Sequence, residues 1–442
     1  MSRVQSTPVR VRWAGRCHDL DEAARRVLFD RASTEDAAVR ERTAAIIARV
    51  RREGDVALRA LALELDGVSL DRLDVPRRLW SQALDAIEPA LRHSMERSAS
   101  NLAYVHRAFL PTAQETESEP GIVVGRRPDP LERVGVYAPG GRAAYPSSVL
   151  MGVVPARIAG VGDIVLCSPP DRRTGRPADV VLAAAALANA DRVFALGGAG
   201  AIAAMAFGTS SVPRVDRVVG PGNAYVAEAK LQVSSVVAID SPAGPSELLV
   251  LCDEDADAGL VAREMLAQAE HDPLAAVVAV TSSERAAQAI LVELDAQLAA
   301  QPRATIIAAA LAGQGAVLWA GSLDEAIAFA NAYAAEHLLL VVAEPEVALG
   351  QLRNAGTVFV GSSSSVTFGD YMTGANHVLP TGGRARSYSG LSTLDFVRWT
   401  TYQRVTPDAA ARLASDVGTF ADAERLPGHA MAARAWRAGE AA

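Results

Sequence analysis

Apolar residues in the first quarter of the chain recur at three- and four-residue spacing, the period of amphipathic helices. The pattern predicts helices over 21–31, from about 37 to 52, over 55–64 and over 78–108. We therefore predict a helical N-terminal region, residues 1–132. His18, His93 and His106 lie in it without a second donor nearby in sequence, so each is predicted to be structural or a surface residue.

Near residue 133 the pattern changes to short apolar runs separated by alanine-rich helical stretches. Strands alternating with helices predict parallel sheets covered by helices on both faces. The chain is therefore predicted to be an α/β protein with two tandem, Rossmann-like, doubly wound domains, 133–242 and 243–385. The cleft between them is the expected ligand site. The predicted strands are 133–138, 163–167, 192–196, 217–219 and 236–240 in the first domain, and 247–252, 276–280, 316–319, 338–342 and 357–360 in the second.

The tail, residues 386–442, is predicted to be a helical C-terminal extension, with helices over 395–402 and 407–442. We find no strand-forming sequence in it. Such a tail is expected to pack against something other than a core of its own.

Charge and composition narrow the functional class. The 43 basic and 51 acidic residues are spread evenly and give a net charge of −8, so nucleic acid is not an expected partner. The three cysteines are too few for a disulfide framework or a thiolate metal site. Because the chain also lacks a signal peptide pattern and a long apolar run, we expect a cytoplasmic protein with no membrane contact.

Two polar side chains, Gln268 and His271, stand three residues apart where an apolar helical run ends, and Pro273 follows them. On a helix this spacing places an amide and an imidazole on one face. They would form half of a metal site with oxygen and nitrogen ligands, and Asp370 and His429 are candidates for the other half. Spacing does not prove the site, because a polar helix end also bonds its own last turn.

Two glycine turns lie between predicted strands and helices. The segment Gly198-Ala-Gly200-Ala-Ile-Ala203 fits the G-x-G-x-x-A dinucleotide fingerprint, but tight strand-to-helix packing explains its glycines equally well, since no acidic residue follows the next strand. The segment Gly220-Pro-Gly-Asn223 can offer backbone N–H groups to a phosphate, with Asn223 donating from the side.

Glu336 and His337 are adjacent at the start of a predicted apolar strand. Burial and mutual charge can tune such a pair toward neutral pH for proton transfer. As a bare dipeptide it is equally consistent with a surface pair.

Taken together, these motifs resemble the histidinol dehydrogenase family over about residues 43 to 442. The resemblance depends on their order as well as their identity. The matching segments are Gly135-Val-Tyr-Ala-Pro-Gly-Gly141, Gly220-Pro-Gly-Asn223, Ala243-Gly-Pro-Ser-Glu247, Gln268-Ala-Glu-His271, Glu336-His337, Gly369-Asp-Tyr371, Asn376-His-Val-Leu-Pro-Thr381 and Glu424-Arg-Leu426.

The resemblance assigns a role to each matching residue. It implies one Zn²⁺ per subunit and NAD as cofactors, with Glu336 and His337 as the catalytic acid–base pair. It also implies a homodimer in which the last helices cross to the partner subunit, so that Glu424 and His429 serve the neighbouring site. The implied metal ligands are Gln268, His271, Asp370 and His429; the substrate contacts are Ser246, Gln268, His271, His337, Asp370, Glu424 and His429; and the cofactor contacts are Tyr137, Asn223 and position 200.

The chain departs from the family pattern at Gly200, where the family usually has a glutamine that touches the cofactor. The change removes a side-chain amide and puts the strength of NAD binding in doubt. A smaller change, Ala334-Ala335 in place of Gly-Pro, precedes the catalytic pair without altering it.

The reaction that the resemblance implies is oxidation of L-histidinol to L-histidine by two NAD, through bound L-histidinaldehyde, in histidine biosynthesis. Three alternatives stay open on the sequence alone. They are a paralogous NAD-dependent dehydrogenase of another small amino or hydroxy alcohol, a metallohydrolase, and an inactive binding protein.

Overall fold

The computed structural model describes residues 10–31, 36–140 and 144–436. Gly141 of the first motif, and residues 437–442 of the predicted last helix, lie outside this range. Clustering of contacts divides the chain into two compact units, one of Met1–Phe109 with Leu131–Phe396 and one of Leu110–Pro130 with Val397–Ala442.

The strands, in chain order, are β1 Trp13–Arg16, β2 Gln114–Glu119, β3 Ile122–Pro130, β4 Arg133–Tyr137, β5 Asp163–Ser168, β6 Arg192–Ala195, β7 Arg217–Val219, β8 Ala238–Ile239, β9 Glu247–Cys252, β10 Ala276–Thr281, β11 Gly315–Trp319, β12 His337–Val341, β13 Thr357–Val360 and β14 Val397–Val405.

The α-helices are α1 Glu22–Phe29, α2 Ala37–Glu53, α3 Asp55–Leu61, α4 Arg77–Ala86, α5 Pro89–Ala108, α6 Pro146–Ile158, α7 Asp179–Leu187, α8 Gly198–Phe207, α9 Ala224–Val233, α10 Ala258–Ala269, α11 Glu284–Leu298, α12 Ala304–Gln314, α13 Leu323–Tyr333, α14 Pro345–Gln351, α15 Val366–Tyr371, α16 Pro407–Ala423 and α17 Pro427–Arg434. A π-helical turn, Ala62–Asp66, continues α3.

The first unit contains two parallel sheets, which confirms the predicted fold class. The smaller has the strand order β6-β5-β4-β7-β8 and the larger the order β1-β11-β10-β9-β12-β13. Apart from β1, which pairs at the edge of the larger sheet, the strands of each sheet start in its middle and are added first to one side and then to the other. The order therefore reverses between β4 and β7 in one sheet and between β9 and β12 in the other, and such switch points favour ligand sites.

Apolar side chains of the larger sheet fill a core on each face. Leu248 and Val250 of β9 point to one face with α10, α11 and α12, while Leu249 and Leu251 point to the other with α13. This alternation explains why the strands are continuous apolar runs, since both faces are buried. Leu28 of α1 joins the second face, so the first helix packs on this sheet.

The second unit holds an antiparallel sheet in the order β14-β3-β2, with α16 and α17 packed together. The prediction of a helix over 395–402 was wrong, because those residues include the start of β14. Val397, Trp399 and Thr401 stand two residues apart among β-branched and aromatic neighbours, a pattern that favours a strand. β2 and β3 likewise interrupt the predicted helical N-terminal region. The boundaries of the four predicted domains stay a prediction.

Candidate active site

Glu336 and His337 lie at the amino end of β12, next to β9 in the larger sheet. Both are buried, 5% and 4% exposed. The backbone of one residue, Glu247 at the start of β9, contacts both side chains: its N–H donates to Glu336 Oε2 at 2.7 Å, and its carbonyl oxygen lies 2.9 Å from His337 Nδ1. The pair is therefore a built feature of the interior, and the interpretation as a surface pair is excluded.

The bond to Glu247 determines the form of the His337 ring. A carbonyl oxygen only accepts, so Nδ1 carries a proton and, in the neutral ring, Nε2 keeps its lone pair. Nε2 is buried, has no hydrogen-bond partner among the described residues and lies 3.7 Å from Asp370 Oδ1. A base with a free acceptor is thus held in a fixed orientation.

Charges around His337 make it a stronger base than an ordinary histidine. Burial alone lowers its pKa, but the Glu336 carboxylate, 3.4 Å from Nδ1, and Asp370 outweigh burial and raise the pKa to about 9. Burial also raises the pKa of Glu336, and His337 and the Glu247 N–H offset that rise only in part. The pKa of each group is therefore raised above its ordinary value.

Asp370 and two further histidines complete this cluster. Asp370 lies in the last turn of α15, and its carbonyl oxygen accepts a hydrogen bond from His377 Nδ1 at 2.9 Å. Burial lowers the pKa of His377; Asp370 opposes the shift, while the His337 and His271 imidazoles add to it. The electrostatic coupling joins His271, His337, Asp370 and His377 in one group.

Gln268 lies in the last turn of α10, 3% exposed, with a buried Nε2 that has no partner among the described residues. The expectation that His271 shares its helix face was wrong. α10 ends at Ala269, and His271 is exposed in the bend beyond. The helix stops early because Pro273 cannot continue it and disfavours helical backbone before it.

The remaining predicted site residues are divided between the two units. Ser246, half-buried, directly precedes β9 in the first unit, whereas Glu424 and His429 are exposed in the second unit, after α16 and on α17. Within residues 10–31, 36–140 and 144–436, no three His, Cys, Asp or Glu side chains form a group able to hold a metal ion. The four-ligand zinc site stays a prediction.

The predicted cofactor residues line a cavity of about 800 Å³ beside the smaller sheet. Tyr137 ends β4 next to the switch point, and its hydroxyl oxygen accepts the Gly198 N–H at the start of α8 at 3.0 Å. Burial raises the pKa of Tyr137 to about 12, so it stays a neutral hydroxyl. Gly200 and Asn223 line the same cavity, to which Glu336 and His337 do not contribute.

Two leucines cover the position where the family has a glutamine. A Cβ on Gly200 would lie 3.2 Å from Leu61 Cδ1 and 3.7 Å from Leu58 Cδ2. Both leucines come from α3 and also line the cavity. Position 200 therefore faces apolar side chains and presents no side-chain amide to the cavity.

The turn after β7 approaches Tyr137 closely. Gly220 has φ +116°, and a Cβ there would overlap the Tyr137 carbonyl oxygen. A buried ion pair grips this turn: Lys230 contacts Asp240, Lys230 Nζ donates to the Gly220 carbonyl oxygen at 3.1 Å, and Asp240 Oδ2 accepts the Gly220 N–H at 2.8 Å. The backbone here has no room for a side chain.

Asn223 caps α9 with its own side chain. Its Oδ1 accepts the N–H groups of Tyr225 and Val226 at 3.1 and 3.2 Å. The expectation that this helix start is free to bind a phosphate is therefore wrong for these two groups, because an Asn at the N-cap position satisfies them. The side-chain NH₂ of Asn223 takes no part in this cap and remains as a donor for a ligand.

Sequence reasoning missed Glu247 as the residue that binds Glu336 and His337. The contact is made by its backbone, and a peptide group carries no signal in the sequence. Sequence reasoning also assigned no role to His377. Its place in the Asn376-His-Val-Leu-Pro-Thr381 segment was the available signal.

Known proteins resemble this chain over nearly its whole length. The family model for histidinol dehydrogenase matches residues 29–437. The histidinol dehydrogenase of Natronomonas pharaonis is 49% identical over 414 residues, 93% of this chain and 96% of that protein. That of Methanosarcina barkeri is 45% identical over 418 residues, 94% of this chain and 96% of that protein.

A solved structure agrees in fold. The crystal structure of histidinol dehydrogenase from Elizabethkingia anophelis superposes with a TM-score of 0.91 at 33% identity, covering 96% of this chain and 97% of that one. Sequence, family model and fold thus agree, and the chain belongs to the histidinol dehydrogenase family of oxidoreductases.

Proposed function

We propose that this protein oxidises L-histidinol to L-histidine with two NAD, through bound L-histidinaldehyde, as a step of histidine biosynthesis. The observation that carries the proposal is the buried Glu336–His337 pair, whose two side chains bind the backbone of Glu247 in β9. The chain matches the family model over residues 29–437. The relatives are histidinol dehydrogenases, and this points to histidinol as the substrate.

His337 acts as the base in the first oxidation. Its Nδ1 proton is committed to the Glu247 carbonyl oxygen, so Nε2 accepts the hydroxyl proton of the alcohol as hydride leaves the carbon. Only the neutral ring accepts this proton, and the raised pKa of about 9 means that it holds the proton tightly once it is received.

Glu336 acts in the second oxidation. Its carboxylate takes a proton from the water that adds to the aldehyde, while His337 gives the proton it received to the aldehyde oxygen. The neutral His337 ring then again accepts a hydroxyl proton, now from the resulting hydrate. The raised pKa of Glu336 suits this role, because an ordinary carboxylate is too weak a base at neutral pH.

Tyr137, Asn223 and the backbone at Gly200 would hold NAD in the cavity beside β4. Its volume of about 800 Å³ lies within the range of small-molecule sites. Bound there, the nicotinamide supplies the hydride acceptor. Leu58 and Leu61 exclude water from the wall where the family's amide would stand.

Gln268, His271, Asp370 and His429 would hold one Zn²⁺ per subunit. An amide oxygen, two imidazoles and a carboxylate suit zinc. The buried Gln268 Nε2 is a donor without a partner among the described residues, so it marks a place for an acceptor atom of the substrate and not for the metal. Bound zinc supplies orientation of the amino alcohol and no redox chemistry. Ser246 and Glu424 would add substrate contacts.

A homodimer would bring the second unit of one subunit to the site of the other. Glu424 and His429 are exposed, and so are the large apolar side chains Phe420 and Met431, at 72% and 73%. Exposed apolar groups of this size mark interaction surfaces when they cluster.

The described helices include none with the length and hydrophobicity to cross a bilayer. The three free cysteines favour the reducing cytoplasm as the compartment.

A half-reaction comparison tests the division of labour. Glu336→Gln is expected to slow aldehyde oxidation at least about 100-fold and alcohol oxidation less than about tenfold, because only the second step needs the carboxylate as a base for water. Histidinaldehyde with NAD measures the second step, and histidinol with a carbonyl-trapping amine measures the first. Glu346→Gln, exposed on α14, is the control. Equal losses in both steps contradict the assignment.

A further inference from the structure

Glu336 and His337 both bind the backbone of Glu247, and the side chain of Glu247 is itself fixed by a buried ion pair with Arg31. Arg31, just after α1, donates to Glu247 through two atoms, Nε to Oε1 and Nη2 to Oε2, both at 3.0 Å. The two side chains are 3% and 2% exposed. A planar guanidinium bound to both oxygens of a carboxylate fixes orientation as well as distance.

Further contacts immobilise both partners. Arg31 Nη2 also donates to the Tyr333 carbonyl oxygen at 2.9 Å, and its guanidinium lies 3.5 Å from the centre of the Tyr333 ring. Glu247 Oε1 also accepts the Gly382 N–H at 2.6 Å. Glu247 is thus held by Arg31 and Gly382, and Arg31 is in turn held by Tyr333 of α13, so Glu247 has little freedom to turn.

The same residue then orients both acid–base groups through its backbone. Its N–H binds the Glu336 carboxylate and its carbonyl oxygen binds the His337 ring. We propose that Arg31 and Glu247 are positioning residues that hold Glu336 and His337 in their reactive orientation without touching the substrate. This inference rests on the proposed roles of Glu336 and His337.

Arg31→Lys tests the proposal while keeping the positive charge. A lysine ammonium is a single point and cannot replace the two-atom fork. The variant is expected to lower kcat for histidinol at least about tenfold through misorientation of the pair. The Kd for NAD, measured by titration without substrate, is expected to change less than about twofold because the cavity lies beside the other sheet.

The control is Arg49→Lys, which alters another two-oxygen Arg–Glu contact, with Glu64. That pair is partly exposed and joins α2 to the π-helical turn, and its hydrogen bonds do not involve Glu247, Glu336 or His337, so kcat should stay at the wild-type value.

A double-mutant cycle separates positioning from general stability. If Arg31 acts through Glu336 and His337, Arg31→Lys should lower the rate of aldehyde oxidation by a smaller factor in Glu336→Ala than in the wild type, since only His337 is left to orient. A loss in that background as large as in the wild type, or a parallel loss of NAD binding, overturns the proposal. Should Arg31→Lys not fold, Glu247→Gln undergoes the same comparison.

The outcomes also distinguish this inference from the proposed function. Wild-type protein that does not oxidise histidinol, or a Glu336→Ala variant with unchanged rates, refutes the proposed function. Wild-type activity that depends on Glu336, together with an Arg31→Lys variant equal to Arg49→Lys, refutes only the positioning role.

Discussion

His106 shows what a buried histidine does when it has no chemical task. It lies in the last turn of α5, 2% exposed, and neither ring nitrogen has a hydrogen-bond partner among the described residues. Its ring meets that of Phe109 edge to face. Burial lowers its pKa to about 4. The prediction that it is structural or a surface residue agrees with the buried position.

This pKa predicts a pH-dependent stability. Above its ordinary pKa of 6.5, His106 is neutral in both the folded and the unfolded chain. As the pH falls from 6.5 to 4, the unfolded chain binds a proton that the folded chain excludes, so folding loses stability by about 1 to 3 kcal/mol. Wild-type Tm should therefore fall more steeply over this window than the Tm of His106→Leu, by at least about 2 °C.

His93→Leu is the matched control, because His93 is exposed on the same helix. Its Tm should follow the wild-type curve. Parallel curves for wild type and His106→Leu from pH 6.5 to 4 contradict the assigned cause.

The sequence could reveal the Glu336–His337 pair but not the Glu247 backbone that binds both side chains. Glu336 and His337 stand out because two titratable residues interrupt an otherwise apolar run. The role of Glu247 depends on the register of β12 beside β9, in which His337 lies opposite Leu248. The contact of Glu247 with Arg31 joins residues 216 positions apart. Neither relation follows from local pattern or spacing.

At the scale of elements, burial determines which strands the sequence can predict. All strands from β4 to β13 lie in the two parallel sheets, and most are apolar runs that hydropathy detects. β2, in contrast, is Gln-Glu-Thr-Glu-Ser-Glu and exposed at every residue. It exists because it pairs with β3, a tertiary contact that overrides a polar sequence without strand propensity.

In the turn between β7 and α9, a single added methyl group on Gly220 is expected to change cofactor binding. Gly220→Ala places a methyl group against the Tyr137 carbonyl oxygen at a left-handed φ, so the turn must move away from β4. We expect the Kd for NAD, measured by titration of the protein alone, to rise at least about tenfold.

Gly350→Ala is its control, because a Cβ at this position in α14 meets nothing within 4 Å. It should leave the Kd for NAD unchanged. Unchanged NAD binding by a folded Gly220→Ala variant contradicts the role given to this turn.

At the scale of the molecule, the first unit uses its two sheets differently. Tyr137 and the Gly220 turn lie at the carboxyl ends of β4 and β7, the usual ligand side of a switch point. Glu247 and His337 lie at the amino ends of β9 and β12, the opposite side. The sequence predicted both sheets, but the end that a sheet uses depends on loops whose path it does not give.

The central claim is that one chain removes two hydrides from one amino alcohol. Its most direct test is the number of NADH molecules formed per histidinol when histidinol is limiting and NAD is in excess, followed by NADH absorbance to completion. Oxidation through the aldehyde to the acid predicts about two NADH per histidinol. A plateau at about one, or no NADH at all, contradicts the account.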